Sequence, residues 1–542
     1  MPTKEAWLLT RERIGFNDMG DTMRLTVLSG ALLVGALALV PSAQAADGPA
    51  LLEAKCASCH AENGDGTYTR IDAGRRTPEG WLMTLVRMER NHDVKLTAEE
   101  RRTLVRHLAD TRGLSVAETE GSRYILEKNP IAWDEGPTQE MTEMCSRCHS
   151  WARVALQRRT KEDWAKLMHF HLGQFPTAEY QALARDRAWW DIAQNQMVDE
   201  LAERFPLGKA PEASTADLSG TWSVAGVQRG QGPYHGTMTV SPKDGGMLDV
   251  MVDLTYENGT EVTQAGTGML YGAGEWRASL TGAGTQLRQV MALSEDGETL
   301  TGRWFDADQD VIGGAMTAVK TDADPRVIAV APSHLRQGAT TRVTVAGVGL
   351  NGDPDFGEGV TATVVERTPE MMVLDVAADS AAQAGPRDVS IGGQSMDDAF
   401  VVYDGIDRLT VEPAVTFARV GGNGGPIPKV PAQFEAIGWM NGPDGQPNTE
   451  DDIRIGAMPA EWKTDNFDAT AAALDDAKYA GQIGDGGLFV PGPAGPNPAR
   501  VKGTNNVGNL SVIASVFDGG REVEATGQLY VTVQRFVDPP IR

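Results

Sequence analysis

The chain has 542 residues, with 49 lysines and arginines against 74 aspartates and glutamates, which gives a formal net charge of −25. This acidic balance argues against a nucleic-acid partner, because binding to phosphates draws its affinity from lysine and arginine. At about 150 residues per domain the length predicts three or four domains, and a hydrophobic share of 41% is enough to fill their cores.

The N-terminal segment predicts export from the cytoplasm. Met23 and Arg24 open a short basic region, residues 25–40 are almost entirely apolar, and residues 41–45 end in a small-residue cleavage pattern. We therefore expect a signal peptide over residues 1–45, with the biological start at Met23 and a periplasmic mature protein; an uncleaved anchor is the alternative. No later apolar run is long enough to predict a membrane span.

All four cysteines lie in two copies of one pentapeptide, Cys-x-x-Cys-His, which is the attachment signature of c-type haem. On one helical turn, sulfurs at the first and fourth positions can reach the two vinyl groups of a porphyrin. The imidazole at the fifth position lies on the same face and can bind the iron. The sequence therefore predicts two covalently bound haem c groups. The predicted tethers are Cys56, Cys59, Cys145 and Cys148, and the predicted proximal iron ligands are His60 and His149.

Three other uses of such cysteines compete with haem. Zinc sites built from two Cys-x-x-Cys pairs usually place the pairs closer together than the separation of about 90 residues seen here. A redox-active pair needs no adjoining histidine, and a disulfide framework would rarely place every cysteine in the same pentapeptide. Haem attachment is the reading that uses every residue of the motif.

The distal iron ligands are predicted from a weak internal repeat. Residues 77–81 and 160–164 both begin with threonine, continue with acidic residues and end in tryptophan. On the helical face that follows each tryptophan, the first copy carries Met88 and His92, and the second carries Met168 and His171. We expect His60/Met88 ligation of one haem and His149/His171 ligation of the other, with His92 and Met168 as alternatives. His169 points away from the His171 side of that helix.

Two helices are expected to close the two haem-binding units. Thr97 is a candidate N-cap followed by acidic residues, and Gly113 is a candidate C-cap. A second closing helix is predicted from about Thr177 to Phe205.

Beyond residue 208 the composition changes to short alternating strands separated by glycine-rich turns. The predicted architecture is multidomain α+β: an all-α dihaem cytochrome c domain, an antiparallel β-barrel and two immunoglobulin-like β-sandwich domains, the last with a Gly/Pro-rich insertion. The expected boundaries are residues 46–209, 217–320, 323–405 and 407–542. The acidic loop 444–452 offers several oxygen atoms, but it lacks the spacing of an EF-hand, so a solvated turn is favoured over a calcium site.

The domain order, the two haem motifs and the segment 167–176 (LMHFHLGQFP) together resemble the alpha subunit of quinohaemoprotein amine dehydrogenase. The resemblance implies a heterotrimer with a propeller subunit and a small subunit that carries a peptide-derived quinone. In that family the quinone oxidises a primary amine, and the haems pass single electrons to a soluble copper protein or cytochrome. It therefore implies that this chain is the electron-transfer subunit of an oxidoreductase and supplies no catalytic residue to amine oxidation.

Other functions remain open at this point. The chain could be a dihaem cytochrome subunit of another periplasmic dehydrogenase, or a dihaem peroxidase, which would need one haem with a displaceable sixth ligand. The β domains contain no nucleophile elbow, HExxH helix or phosphate-binding glycine loop. They are therefore expected to bind other subunits.

Overall fold

The structure, a computed structural model, describes residues 47–129, 134–180, 187–422 and 427–533. A helical region comes first, a closed barrel follows, and two further β regions complete the chain. The expected signal peptide lies outside the described residues. Within the described ranges, every helix is too short or too polar to cross a bilayer.

Where the structure describes it, the helical region contains ten α-helices, the 3-10 helix Glu120–Ile125 and one small two-stranded sheet. The helices are α1 Gly48–Cys56, α2 Pro78–His92, α3 Ala98–Arg112, α4 Val116–Thr119, α5 Gln139–Cys145, α6 Ala152–Ala155, α7 Lys161–Gln174, α8 Thr177–Tyr180, α9 Trp189–Ile192 and α10 Val198–Arg204. The strands are β1 Gly74–Arg76 and β2 Gln157–Arg159.

Two separate hydrophobic cores divide this region into halves. The first is centred on Trp81 and Leu104 and is built from α1, α2 and α3. The second is centred on Trp164 and Leu201 and is built from α5, α6, α7, α9 and α10. Each half therefore packs around its own buried tryptophan.

The two halves are joined through β1 and β2, which pair antiparallel with Arg75 directly opposite Arg158. Both arginines bind Glu118: Arg75 makes two hydrogen bonds of 2.9 and 2.7 Å, and the Nε atom of Arg158 lies 3.1 Å from Oε1. Burial alone would raise the pKa of Glu118, but these two cations and the Ser115 amide hold it below its ordinary value. Equivalent residues thus meet on a local, approximate two-fold axis, with one carboxylate neutralising both.

The first closing helix is confirmed. Thr97 caps α3 and forms a reciprocal capping box with Glu100, and the helix ends at Gly113. A Cβ atom on Gly113 would lie 2.2 Å from the carbonyl oxygen of Ala109, which explains the glycine.

The second closing helix differs from the expectation of one element from Thr177 to Phe205. A helical run begins only at Trp189, because Ala188 has a non-helical backbone (φ −81°, ψ 80°). The run passes through a π-turn at Ala193–Met197 and ends at Arg204. The break lets Trp189 bury its ring and donate its Nε1–H to the carbonyl oxygen of Met144 at 3.1 Å.

The predicted antiparallel barrel is confirmed as eight strands that close on themselves, with β10 pairing with β3. Its interior is filled by side chains that include Trp222, Trp276 and Trp304. The strands are β3 Gly220–Gln228, β4 Gly232–Lys243, β5 Met247–Tyr256, β6 Glu261–Tyr271, β7 Glu275–Gly282, β8 Thr285–Leu293, β9 Thr299–Asp306 and β10 Gly313–Lys320.

The third region consists of two four-stranded sheets around one core that includes Phe356 and Phe400. One sheet has the order β11-β13-β16-β15 and the other β12-β18-β17-β14. Their bounds are β11 Arg326–Ala331, β12 His334–Arg336, β13 Thr340–Val348, β14 Pro354–Asp355, β15 Val360–Arg367, β16 Met371–Ala378, β17 Gly385–Ile391 and β18 Gln394–Tyr403.

The fourth region has sheets of the order β19-β22-β23, β20-β28-β27-β24 and β21-β26-β25. The elements are β19 Arg408–Glu412, β20 Val415–Arg419, β21 Ala432–Gln433, β22 Glu435–Met440, β23 Ile453–Met458, β24 Glu461–Asn466, α11 Ala469–Ala473, α12 Asp476–Tyr479, β25 Gly481–Ile483, β26 Leu488–Pro491, β27 Gly508–Asp518 and β28 Arg521–Thr532. In the acidic loop 444–452, Asp452 pairs with Arg408, and Asp444 accepts a hydrogen bond from a backbone amide of the loop itself.

Candidate functional site

Each Cys-x-x-Cys-His motif begins where a short helix ends. Helix α1 ends at Cys56 and α5 ends at Cys145. In the first motif, the amides of Cys59 and His60 both donate to the carbonyl oxygen of Cys56, at 3.1 and 2.9 Å, so the motif continues as one more tight turn. The first cysteine of each motif also packs against the core of its own half.

The four cysteines are free thiols, so no disulfide joins them. Across the described ranges, no three His, Cys, Asp or Glu side chains gather as a site for a bare metal ion. Burial raises the pKa of Cys145 to about 12. All four thiols are therefore free to react.

Three histidines share one arrangement of their imidazoles. Each Nδ1 atom lies near a backbone carbonyl oxygen. The distances are 2.8 Å from His60 to Thr69, 3.0 Å from His149 to Ser150 and 2.8 Å from His171 to Leu167. A carbonyl oxygen only accepts, so Nδ1–H is the donor in each case and Nε2 keeps its lone pair. Histidines that bind metals are typically held in this way.

His149 and His171 come from different elements of the second half, and their ring centroids lie 6.3 Å apart with the ring planes inclined at 52°. An iron bound to two imidazole nitrogens at about 2 Å each would separate the ring centres by roughly 6 Å. Burial lowers the pKa of His149 to about 4 and also lowers that of His171, so both rings are neutral at pH 7. The residues of the second half therefore fit a haem with two axial histidines.

The other predicted distal ligands differ in how deeply they are buried. Met88 is half-buried on α2, whereas His92, the last residue of that helix, is exposed. Met168 is 6% exposed and belongs to the core of the second half. His169 is exposed, and its ring packs edge-on against Trp190 with 4.7 Å between centroids.

The internal repeat includes more than the segments 77–81 and 160–164. Thr77 and Thr160 both cap their helices, and Trp81 and Trp164 are both fully buried. An arginine covers each ring: Arg76 lies 4.7 Å from the Trp81 centroid and Arg159 lies 5.5 Å from that of Trp164. In the sequence, this longer repeat is visible as the tripeptide Arg-Arg-Thr, which precedes each acidic turn at 75–77 and at 158–160.

Comparisons with solved structures and with curated proteins add little. A redesigned β-barrel, mFAP1, bound to DFHBI is 19% identical, covers 19% of this chain and 91% of its own, and has a TM-score of 0.17. Protocadherin gamma B2 extracellular cadherin domains 1–5 are 12% identical, with coverage of 62% and 76% and a TM-score of 0.17. At such TM-scores these similarities indicate nothing about the fold or the function of this chain. No curated protein compared with the chain matches it.

Family models match in chain order and cover most of the chain. Residues 46–211 match the haem-binding domain of quinohemoprotein amine dehydrogenase A, alpha subunit. Residues 215–321, 324–404 and 409–541 match domains II, III and IV of the same alpha subunit. The chain, with its haem-binding helical region, barrel and two further β regions, belongs to the family of quinohemoprotein amine dehydrogenase alpha subunits.

Proposed function

We propose that this chain is the dihaem electron-transfer subunit of a periplasmic quinohaemoprotein amine dehydrogenase. It would take electrons from a peptide-derived quinone on a small partner subunit after oxidative deamination of a primary amine. It would then pass them singly to a soluble copper protein or cytochrome. The observation that supports this proposal is the 6.3 Å between the rings of His149, the last residue of the second Cys-x-x-Cys-His motif, and His171, because a second axial imidazole would leave no open iron site for substrate.

The chain's own residues would hold two haem c groups. Cys56 and Cys59 would tether the first, and Cys145 and Cys148 the second. His60 and Met88 would be the axial ligands of the first haem, and His149 and His171 those of the second. Bound haem supplies a reversible one-electron carrier, whose potential depends on its axial ligands.

The remaining domains would serve assembly. We infer that the third and fourth regions are immunoglobulin-like sandwiches and that, with the barrel, they form a cradle for a propeller subunit and the small quinone-bearing subunit. The two-sheet packing of the third region around a single core supports the sandwich assignment. We propose the domain boundaries predicted from the sequence: residues 46–209 for the dihaem domain, 217–320 for the barrel, and 323–405 and 407–542 for the two sandwiches.

The first experiment tests cofactor attachment. The full chain is produced with its signal sequence in a host able to attach c-type haem, and the periplasmic protein is analysed by mass spectrometry and by its reduced absorption spectrum. We expect the mature mass plus two haem groups. Cys145→Ser/Cys148→Ser should remove one haem and leave the other. A colourless protein of unmodified mass would refute the proposal.

The second experiment tests the role of the chain. The complex is purified from its native periplasm, and its subunits are identified by mass and by staining for a protein-bound quinone. Adding a primary amine anaerobically should reduce the haems only when the quinone-bearing subunit is present. Peroxide turnover by the isolated dihaem chain would instead favour a peroxidase. Copurification with a different dehydrogenase would favour the other cytochrome alternative.

A further inference from the structure

A chain of hydrogen bonds leads from the imidazole of His149 to a carboxylate outside the haem motif. The Nδ1 atom of His149 lies 3.0 Å from the carbonyl oxygen of Ser150. The backbone amide of Trp151 donates to Oδ2 of Asp134 at 2.7 Å. The carbonyl of Ser150 and the amide of Trp151 belong to one peptide group, because they share the C–N bond that joins the two residues. A single peptide group therefore connects Asp134 to the proposed iron ligand.

A peptide group can transmit the effect of a charge, because its C–N bond has partial double-bond character. A carboxylate that accepts a hydrogen bond from the N–H shifts electron density towards the carbonyl oxygen, which becomes a stronger acceptor, and successive hydrogen bonds strengthen one another in this way. The donor to that oxygen is the Nδ1–H of His149. A stronger hydrogen bond makes the imidazole a better electron donor to the metal that it binds.

The peptide group between Ser150 and Trp151 is held in place by contacts other than the one with Asp134. The two residues are 3% and 6% exposed. The carbonyl oxygen of Ser150 also accepts a hydrogen bond from the amide of Arg153 at 3.2 Å, and the hydroxyl of Ser150 accepts one from the amide of Ala152 at 3.1 Å. The first turn of α6 therefore fixes the peptide group, so a change at Asp134 can alter its polarisation without moving it.

The carboxylate of Asp134 is oriented by two neutral donors. Its Oδ2 atom accepts from the amide of Trp151, and its Oδ1 atom accepts from the hydroxyl of Tyr124. Tyr124 lies in the 3-10 helix Glu120–Ile125, between the two haem motifs. Because neither donor carries a charge, neither cancels the negative charge that the carboxylate places beside the peptide group.

The first haem motif is built differently. The Nδ1 atom of His60 lies 2.8 Å from the carbonyl oxygen of Thr69. The carboxylate of Asp72 accepts a hydrogen bond from the amide of Tyr68 at 2.6 Å, but this amide belongs to another peptide group. Asp72 also pairs with Arg112 at 2.6 Å, which offsets its charge. The connection through one peptide group is therefore a feature of the second motif.

We propose that Asp134 tunes the second haem: its carboxylate, acting through the peptide group of Ser150 and Trp151, makes His149 a more electron-donating iron ligand and lowers the reduction potential of that haem. The proposal rests on the proposed function, since it needs haem at the second motif. Stronger donation favours the oxidised iron, because the reduced haem carries one more electron. The effect is confined to the second haem and therefore increases the difference between the two potentials.

The test uses the haem-loaded full chain and the variant Asp134→Asn, which keeps an oxygen acceptor for the Trp151 amide but removes the charge. The control is Glu135→Gln, which removes the same charge from the next residue, an exposed one. A redox titration should show reduction of the second haem favoured about tenfold in Asp134→Asn, which is about 59 mV for a one-electron couple. The highest g value of that haem in the electron paramagnetic resonance spectrum should also shift, because it reports electron donation by the axial imidazole. Glu135→Gln should change neither.

Tyr124→Phe tests the sign of the effect. The hydroxyl of Tyr124 draws electron density from the carboxylate, so its loss should move the potential of the second haem in the opposite direction and by less. If Asp134→Asn does not take up the second haem, this variant decides, and an unchanged or higher potential would overturn the proposal.

Two results for haem-loaded Asp134→Asn would also overturn the proposal. One is a potential and a g value equal to those of the control. The other is a higher potential with an unchanged g value, which would show that the charge acts only through space. Absence of haem from the unmutated chain would instead refute the proposed function.

Discussion

The ring centroid of His171 lies 6.3 Å from that of His149, whereas the ring of His169, two residues earlier on α7, packs on Trp190. We predict that His171→Ala converts one ferric haem from low spin to high spin, because it removes the sixth ligand. His169→Ala is the matched control and should leave both haems low-spin. Electron paramagnetic resonance of the oxidised protein measures the spin state. A high-spin haem in His169→Ala but not in His171→Ala would identify His169 as the distal ligand.

Met168 provides a further check on the same helix. Its side chain is packed in the core of the second half, so Met168→Leu keeps the volume and should leave the haem spectrum unchanged. A high-spin signal in this variant would favour Met168 over His171 as the distal ligand.

For the first haem, we predict that Met88 is the sulfur ligand. Ferric haem with an axial methionine gives a near-infrared charge-transfer band, so this band should be present in the unmutated protein and lost in Met88→Leu. His92→Ala should keep it, since His92 is an exposed residue at the end of α2. No such band in the unmutated protein would disprove mixed ligation.

The features that the sequence revealed are local ones. The haem motifs occupy five consecutive residues, the N-cap Thr97 of α3 is followed by acidic residues, and strand alternation in the barrel repeats every second residue. Each of these signals is complete within one turn or strand. The individual strands of the barrel could therefore be predicted without knowledge of long-range contacts, whereas its closure depends on the pairing of β10 with β3.

The features that the sequence did not reveal depend on contacts between distant segments. The pairing of Arg75 with Arg158 and their common anion Glu118 join residues that are far apart in the chain. The break at Ala188 lies beside the buried Trp189, which donates to the carbonyl oxygen of Met144, and no proline or glycine marks it. Tertiary packing decided these points, and no local propensity points to them.

Glu118 is expected to hold the two halves of the helical region together. Glu118→Gln leaves Arg75, which is 5% exposed, and Arg158 without their anion, which should cost about 3 kcal/mol of unfolding free energy at pH 7. This loss of unfolding free energy is measured by denaturant unfolding of the haem-loaded chain, monitored through helical circular dichroism and haem absorbance. An unchanged midpoint would contradict the role assigned to Glu118.

The same substitution should change the pH dependence of stability. The pKa of Glu118 is lower in the folded protein than in the unfolded chain, so the unfolded chain binds more protons between these two values. The stabilisation is therefore complete above the unfolded pKa of about 4.3 and is lost as the pH falls through the folded pKa. The difference between the unmutated protein and Glu118→Gln should shrink below about pH 4.3. A difference that grows on acidification would contradict this assignment.

Arg277 is expected to fix the helical region on the barrel. Its guanidinium on β7 lies 2.8 Å from the buried Glu275 and also binds Glu79 in the first turn of α2. The side chain of Glu275 is only 3% exposed, so Arg277→Met leaves a buried carboxylate without its closest cation and should cost about 3 kcal/mol.

The matched control for Arg277→Met is Arg342→Met, which removes an arginine from the pair with Asp375, where both side chains are about half exposed. It should cost no more than about 1 kcal/mol, because water and salt screen such pairs. Thermal unfolding and limited proteolysis of the segment 209–216 measure the difference, since loss of the α2–β7 contact should expose that connection. Equal destabilisation by the two variants would show that Arg277 contributes no more than an ordinary surface charge.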